Sequence, residues 1–282
     1  MSRISFLNGK FLPHEECFVH IEDRGFQFAD GIYEVTLFKN GKLIDGDAHM
    51  DRLFRSLREI NIVHNFSKEE LKKMMLELFS RNKMNDGICY LQITRGAHIR
   101  TPQCPKNLTP TIVSTVAEGK KLSVAEFEKG FSAMTHEDIR WSRCDIKTVS
   151  LLASTLMNQK AKDSGFDDVI FLRNGFVSEA SFANAFIVDQ NDVIVTADAD
   201  NLILCGITRN RLIDLAKQKG LKTAERKFTL AELMVAKEVF LTSSSLILRP
   251  IVKIDGKMIA GGKVGKVARI LSESYQEFSV NC

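Results

Sequence analysis

Three kinds of side chain in this sequence have the types and spacing to do chemistry together: an amine, a carboxylate and a set of groups that hold an anion. The amine is Lys147, which ends the stretch Asp138-Ile-Arg-Trp-Ser-Arg-Cys-Asp-Ile-Lys147. A lysine at such a place has two readings. It is a solvated loop residue, as most lysines are, or it is enclosed, where a desolvated amine attacks a carbonyl and forms a Schiff base. The carboxylate is Glu179, within Phe176-Val-Ser-Glu179-Ala-Ser-Phe-Ala-Asn184. It is either a surface acid or a group aimed at a ring nitrogen, whose proton it would keep in place so that a pyridine ring acts as an electron sink. Gly206-Ile207-Thr208 opens a helix, whose first amides and dipole favour anions. Thr242-Ser-Ser-Ser245 adds hydroxyls after a strand, and Arg52 follows His49 by one helical turn, so both face the same way. Taken singly these are equally a cap, a turn and a solvated arginine. Beside an activated lysine they make a phosphate cup.

The elements that must position these groups can be read from pattern. Ile139, Trp141 and Ile146 alternate with polar residues, which predicts a half-buried strand leading to Lys147. Val149, Leu151, Leu152, Leu156 and Met157 then have the spacing of an apolar helix face, placing the lysine at a strand-to-helix junction. Upstream, a hairpin turns at Asn8-Gly9 and a second runs from 32–38 through Asn40-Gly41 to 42–44. Asp47 is read as the cap of a helix carrying Met50, Leu53, Phe54 and Leu57. Ser67-Lys-Glu-Glu70 is a capping box opening the next helix, and strands follow at 88–94 and 111–116. Downstream come strands at 168–172, 183–188, 193–196 and 238–242, and helices at 208–218 and 263–278. A second capping box stands at Thr229-Leu-Ala-Glu232. The polar run Glu118-Gly-Lys-Lys121 is the linker candidate. It divides the chain into a small N-terminal α/β domain, 1–120, and a C-terminal α/β domain, 121–282, that carries Lys147.

Composition narrows the function classes. The chain has 282 residues, 44% hydrophobic and 26% charged, as in a soluble globular protein. A net charge of +4 with no basic block argues against nucleic acid as a partner, and no apolar run is long enough for a bilayer. Six scattered cysteines without a Cys-x-x-Cys pair read as reduced residues in the cytoplasm, and six dispersed histidines offer no zinc cluster. No metal and no membrane are expected.

The sequence resembles the fold-type IV pyridoxal-phosphate aminotransferases, the branched-chain and D-amino-acid family, over nearly its whole length. The resemblance rests on Glu22-Asp-Arg-Gly-Phe-Gln-Phe-Ala-Asp-Gly-Ile-Tyr-Glu34, His49-x-x-Arg52, and Asp138-Ile-Arg-Trp through Asp145-Ile-Lys147. It continues in Glu179-x-Ser181-x-x-Asn184-Ala-Phe186, Ile194-x-Thr196 and Leu204-x-Gly206-Ile207-Thr208-Arg209. It implies a two-domain α/β (α+β) homodimer with pyridoxal 5'-phosphate in the cleft between domains, held as an internal aldimine on Lys147. By the same resemblance Glu179 pairs with the pyridine nitrogen, while Arg52, Ile207, Thr208 and Ser244 bind the phosphate. Leu204 packs on the ring face, and Tyr33 lines the substrate side.

Within the family the match is closest to D-amino-acid aminotransferases, on Asp-Ile-Arg-Trp, Asp-Ile-Lys and the Arg95-Gly…Arg100 loop. That implies transamination between a D-amino acid, such as D-alanine or D-glutamate, and a 2-oxo acid. The subfamily's loop carries Arg-x-His, which grips the substrate carboxylate across a dimer interface. Here Arg100 matches, Pro102 stands at the histidine position, and His98 is either a substitute or a solvated loop residue. Ala180 and Phe182 also replace smaller residues. Rival readings on the same fold are an aminodeoxychorismate lyase and a branched-chain L-aminotransferase. A non-catalytic phosphate-ligand binder would leave Lys147 and Glu179 without a role.

Overall fold

The computed structural model describes residues 3–281. Its chain forms two units. One takes the chain up to Gly119 together with Ile146–Ser150; the other takes Lys120–Asp145 and Leu151–Asn281. Lys147 therefore makes its contacts with the first unit, although it follows the linker in chain order.

The first unit is a six-stranded antiparallel sheet in the order β2-β1-β6-β5-β3-β4. Its strands are β1 (Ile4–Leu7), β2 (Lys10–Pro13), β3 (Gly31–Lys39), β4 (Lys42–Leu43), β5 (Gly87–Thr94) and β6 (Thr111–Ala117). A five-residue helix α1 (Arg24–Phe28) precedes β3, and α2 (Gly46–Glu59) and α3 (Lys68–Arg81) supply the apolar side chains that cover one face. Leu53, Leu57, Met75, Leu78 and Phe79 meet Cys89, Leu91 and Ile93 there, each fully buried. Burial alternates along β3, so Ile32, Glu34, Thr36 and Phe38 lie inward and Tyr33, Val35 and Leu37 lie on the other face. The Ser67 box forms as expected, with Glu70 closing it. Asp47 is not the cap of α2. Asp45 holds that position in the left-handed region, and Asp47 lies in the first turn with a 2.6 Å bond from Lys72.

The second unit is built on a nine-stranded sheet that closes on itself. Its elements are α4 (Val124–Lys129), β7 (Phe131–Glu137), α5 (Leu152–Asp163), β8 (Asp168–Arg173), β9 (Phe176–Ala180), β10 (Asn184–Val188) and β11 (Ile194–Thr196). They continue through α6 (Ile207–Gln218), β12 (Thr223–Glu225), α7 (Leu230–Val235), β13 (Glu238–Ser243), β14 (Ile247–Ile254), β15 (Lys257–Met258) and α8 (Lys266–Asn281). Strands β10, β13, β14, β7, β8 and β9 follow one another around a ring. The ring is shut by a single residue pair, Glu179 of β9 against Asn184 of β10. Parallel pairing of β14 with β7 brings Ile251 beside Phe131, far apart in the chain.

Two expectations around the lysine are corrected. Residues 138–150 form no strand; the strand is β7, which ends at Glu137. Ile146 is buried as expected, but over 138–141 the alternation has its sides reversed. Ile139 and Trp141 are 53% and 46% exposed, while Asp138 and Arg140 turn inward as an ion pair. The helix after Lys147 begins only at Leu152, and only part of its expected apolar face is core: Met157 packs on Ala161, Val169 and Phe171, while Leu152 is 72% exposed and Leu156 51%.

Candidate active site

In the first unit the lysine is carried by a strap sewn to β3. Tyr33 donates its amide to the Lys147 carbonyl (3.0 Å), Val149 donates to Gly31 (3.1 Å), and Thr148 bridges Ile32. The Lys147 amide itself reaches Ser56 Oγ at 3.4 Å. The side chain is half-buried, with Nζ 4.3 Å from the centre of the Tyr33 ring. Register sets Tyr33 opposite Gln92 and Val35 opposite Tyr90, so Tyr33, Tyr90 and Gln92 share one face of the sheet. Tyr33 stacks on Tyr90 at 5.7 Å, and Tyr90 donates to Gln92 Oε1 at 2.7 Å. Burial chiefly, and then Tyr33, push the Tyr90 hydroxyl up to about 12.

On the helix-covered face Glu34 is wholly buried and takes three bonds from α2. Arg52 forks onto it with Nε (2.7 Å) and Nη2 (2.8 Å), and His49 Nδ1 lies 2.8 Å away. Burial alone would raise the Glu34 carboxyl, but the charges and hydrogen bonds of Arg52 and His49 hold it far below the ordinary range. His49 is lowered, mainly by burial. The turn spacing of His49 and Arg52 thus aims both at one carboxylate, which holds the Arg52 guanidinium in a fixed plane. Glu34 was quoted in the family motif without a role; its alternation with Tyr33 on a strand is the signal that could have assigned one.

In the second unit Glu179 sits at the ring's closing pair, 6% exposed. It accepts from Leu204 N (3.2 Å) and Asn184 Nδ2 (3.2 Å), and from Arg140 Nη1. Arg140 in turn forks onto Asp138 at 2.9 and 2.8 Å, and Arg173 joins Asp138 at 3.1 Å. Burial pushes the Glu179 carboxyl up from its ordinary value, with Arg140 and the Leu204 amide pulling the other way. The roles of Arg140 and Asp138 were invisible while their stretch was read with its apolar side inward.

The residues expected to hold an anion begin directly along the chain from Leu204. Gly206 is the N-cap of α6, and Ile207 and Thr208 form its first turn. An added Cβ at Gly206 would come within 2.1 Å of Asn184 Oδ1, so only glycine lets the helix begin this close to the barrel's seam. Thr208 Oγ1 lies 3.5 Å from Ser244 Oγ. Two residues earlier Thr242 buries a hydroxyl that has no partner in the protein. Within the second unit, a helix start with hydroxyls, an orphaned buried hydroxyl and a buried carboxylate have the chemistry to suit a phosphate and a protonated ring nitrogen.

Of the loop residues, Arg100 is exposed and lies over the Phe28 ring at 4.5 Å. His98 is half-buried, its amide donating to Glu22 (3.1 Å) and its Nδ1 2.7 Å from the Ile99 carbonyl. Pro102 is exposed, Ala180 buried and Phe182 48% exposed. Of the six cysteines, 17, 89, 104, 144 and 205 form no disulfide among the described residues, and Cys282 lies outside them. Among the described residues no group of three or more His, Cys, Asp or Glu could hold a metal, and no helix is long and apolar enough to cross a membrane.

Residues 31–254 match the family model described as "Amino-transferase class IV". The chain is 40% identical over 269 residues to the D-alanine aminotransferase of Bacillus licheniformis, covering 95% of this chain and 94% of that protein. It is 39% identical over 278 residues to the D-alanine aminotransferase of Listeria monocytogenes serotype 1/2a (strain 10403S), covering 96% and 94%. In fold it is similar to the branched-chain amino acid aminotransferase from Escherichia coli. The TM-score there is 0.90 at 22% identity, over 98% of this chain and 94% of that one.

Proposed function

Because the chain belongs to the class IV amino-transferases, we propose that it moves an amino group between a D-amino acid and a 2-oxo acid, using pyridoxal 5'-phosphate held on Lys147. The observation that carries this reading is the continuity of the second-unit site. Through Leu204–Thr208, five consecutive residues, a buried carboxylate is joined to a helix start bearing Thr208, whose hydroxyl lies 3.5 Å from that of Ser244. The relatives' common name supplies the D-alanine class of substrate.

When bound, pyridoxal 5'-phosphate supplies the carbonyl carbon that carries the amino group and the ring that takes up the electron pair. The amides of Ile207 and Thr208, the hydroxyls of Thr208 and Ser244, and Arg52 hold the phosphate. Glu179 keeps the ring nitrogen's proton in place, and Leu204 packs on the ring. Lys147 Nζ takes the α-proton of the amino acid as a base and gives a proton back as an acid. Tyr33 walls the substrate side, and Arg100, with His98 beside it, holds the substrate carboxylate. Residues 1–120 and 121–282 make up the two domains, except that Ile146–Ser150 join the first, and the protein is a homodimer. The cytoplasm is its proposed compartment.

The test is a substrate screen resolved by chirality. Purified, cofactor-loaded protein is expected to convert D-alanine and 2-oxoglutarate to pyruvate and glutamate, to leave L-leucine unreacted, and to lose turnover in Lys147→Ala. A preference for L-leucine would reassign it to branched-chain chemistry. Pyruvate release from aminodeoxychorismate without an amino acceptor would reassign it to a lyase. Turnover retained in Lys147→Ala would mean another residue is the base.

A further inference from the structure

A second arginine in the first unit is committed to the loop that carries Arg100. Arg24, in α1, is 2% exposed, yet its three nitrogens point in three directions. Nε donates to Asp30 at 2.8 Å, Nη1 to the Thr101 carbonyl at 2.7 Å, and Nη2 lies 3.9 Å from Cys104 Sγ. Its backbone amide also donates to the Gly96 carbonyl (2.9 Å), beside the bridge between Asp23 and Ala97. The loop that follows Arg95 is thus gripped at its root and again at Thr101, the residue after Arg100.

Arg24 is not needed to neutralise Asp30. Arg95 already forks onto both Asp30 oxygens, at 2.7 and 2.9 Å, and is itself fixed by the Asn61 and Ile60 carbonyls. Burial alone would raise the Asp30 carboxyl, and the two arginines together hold it below the ordinary value. What Arg24 adds is reach. The Phe28 ring takes the Arg24 guanidinium at 4.6 Å and the Arg100 guanidinium at 4.5 Å, so one ring holds both side chains in register.

We propose that Arg24, with Phe28, is the positioning residue that presents Arg100, and so sets how tightly the substrate carboxylate is held. The proposal rests on the reading of Arg100 given above. An exposed arginine on a loop of this length loses much side-chain freedom when it grips a carboxylate. A ring beneath it and a fixed carbonyl beside it remove part of that cost beforehand. With proline at 102, no histidine at that position shares the task.

Arg24→Lys keeps a positive charge beside Asp30 but cannot serve Asp30 and Thr101 at once, because an ammonium lacks the planar fork. Phe28→Leu removes the ring without changing charge. Three readouts are taken on holoenzyme: KM and kcat with D-alanine and 2-oxoglutarate, the visible cofactor absorption, and deuterium uptake by the amides of 97–104. Arg24→Lys is expected to raise both KM values roughly tenfold with kcat within about twofold. The cofactor absorption should not change, and loop amides should exchange faster; Phe28→Leu should act in the same direction. Added to Arg100→Met, Arg24→Lys should raise KM no further, since both act through one guanidinium. Raised KM in Arg100→Met, with flat KM and unchanged exchange in Arg24→Lys and Phe28→Leu, overturns the positioning role and leaves Arg100 standing. Effects of Arg24→Lys and Arg100→Met that multiply overturn it as well. A flat KM in Arg100→Met instead sinks the reading of Arg100, and the substrate part of this proposal with it.

Discussion

A glutamate sealed at the seam of a barrel keeps its charge only if its neighbours hold it. Glu179 has an arginine, an amide N–H and an asparagine N–H for that purpose, yet burial still dominates and leaves the carboxyl more basic than usual. That bias suits the role proposed above for Glu179, because a more basic carboxylate holds a shared proton more firmly. Glu179→Gln keeps the size and the bonds from Leu204 and Asn184 but has no charge to offer. We expect the variant to retain the cofactor and to turn over at least about 100-fold more slowly with D-alanine. Wild-type steady-state rates in Glu179→Gln would reduce the residue to a structural acid. Arg140 completes this picture, and its own charge is spoken for by Asp138, so it steadies Glu179 without displacing a ligand proton.

At the scale of elements, the site depends on one glycine. Gly206 lets α6 start against Asn184, whose amide ties Glu179 to the Leu204 carbonyl. Gly206→Ala puts a methyl group where Asn184 Oδ1 sits, and relief requires moving either the helix start or the seam. A cost of about 1–3 kcal/mol is expected, read as a lower melting temperature. Weaker retention of the cofactor on dialysis should accompany it; both unchanged would mean the helix start has slack. The neighbouring elements show what a sequence discloses. The boxes at Ser67 and Thr229 were legible because a cap is decided within four residues. The helix start at 206–208 was legible for the same reason, with the family motif beside it. The stretch before Lys147 was not, because alternation gives a period without saying which side faces inward. Asp138 and Arg140 turn in only because Glu179 and Arg173 wait there, and those lie some thirty or more residues away. The α4 box at Ser123 and the strands β7 and β14 also escaped notice. Arg24 and Asp30 lay in plain view in a quoted motif, but their partners at Arg95 and Thr101 are set by tertiary folding alone.

For the molecule as a whole, the second unit's barrel is finished by the end of the chain. Strands β13 and β14 fill the gap between β10 and β7, and Ser244 lies in the turn between them. A chain stopped at Ala236 would carry Lys147, Arg52 and Glu179 but would leave β7 and β10 with unpaired edges. We expect it to aggregate and to retain no pyridoxal phosphate after gel filtration; a monomeric, cofactor-bound fragment would show that ring closure is dispensable. The joining of β7 to β14 has a further consequence, in the time order of synthesis. The ribosome delivers the amine well before the strands that complete the barrel, and contacts so distant in sequence form late. Each nascent copy therefore passes through an interval with Lys147 made and its barrel open. A premature stop before β14 is complete yields waste for proteolysis, whereas a fault of the same size in a surface loop yields a slower enzyme.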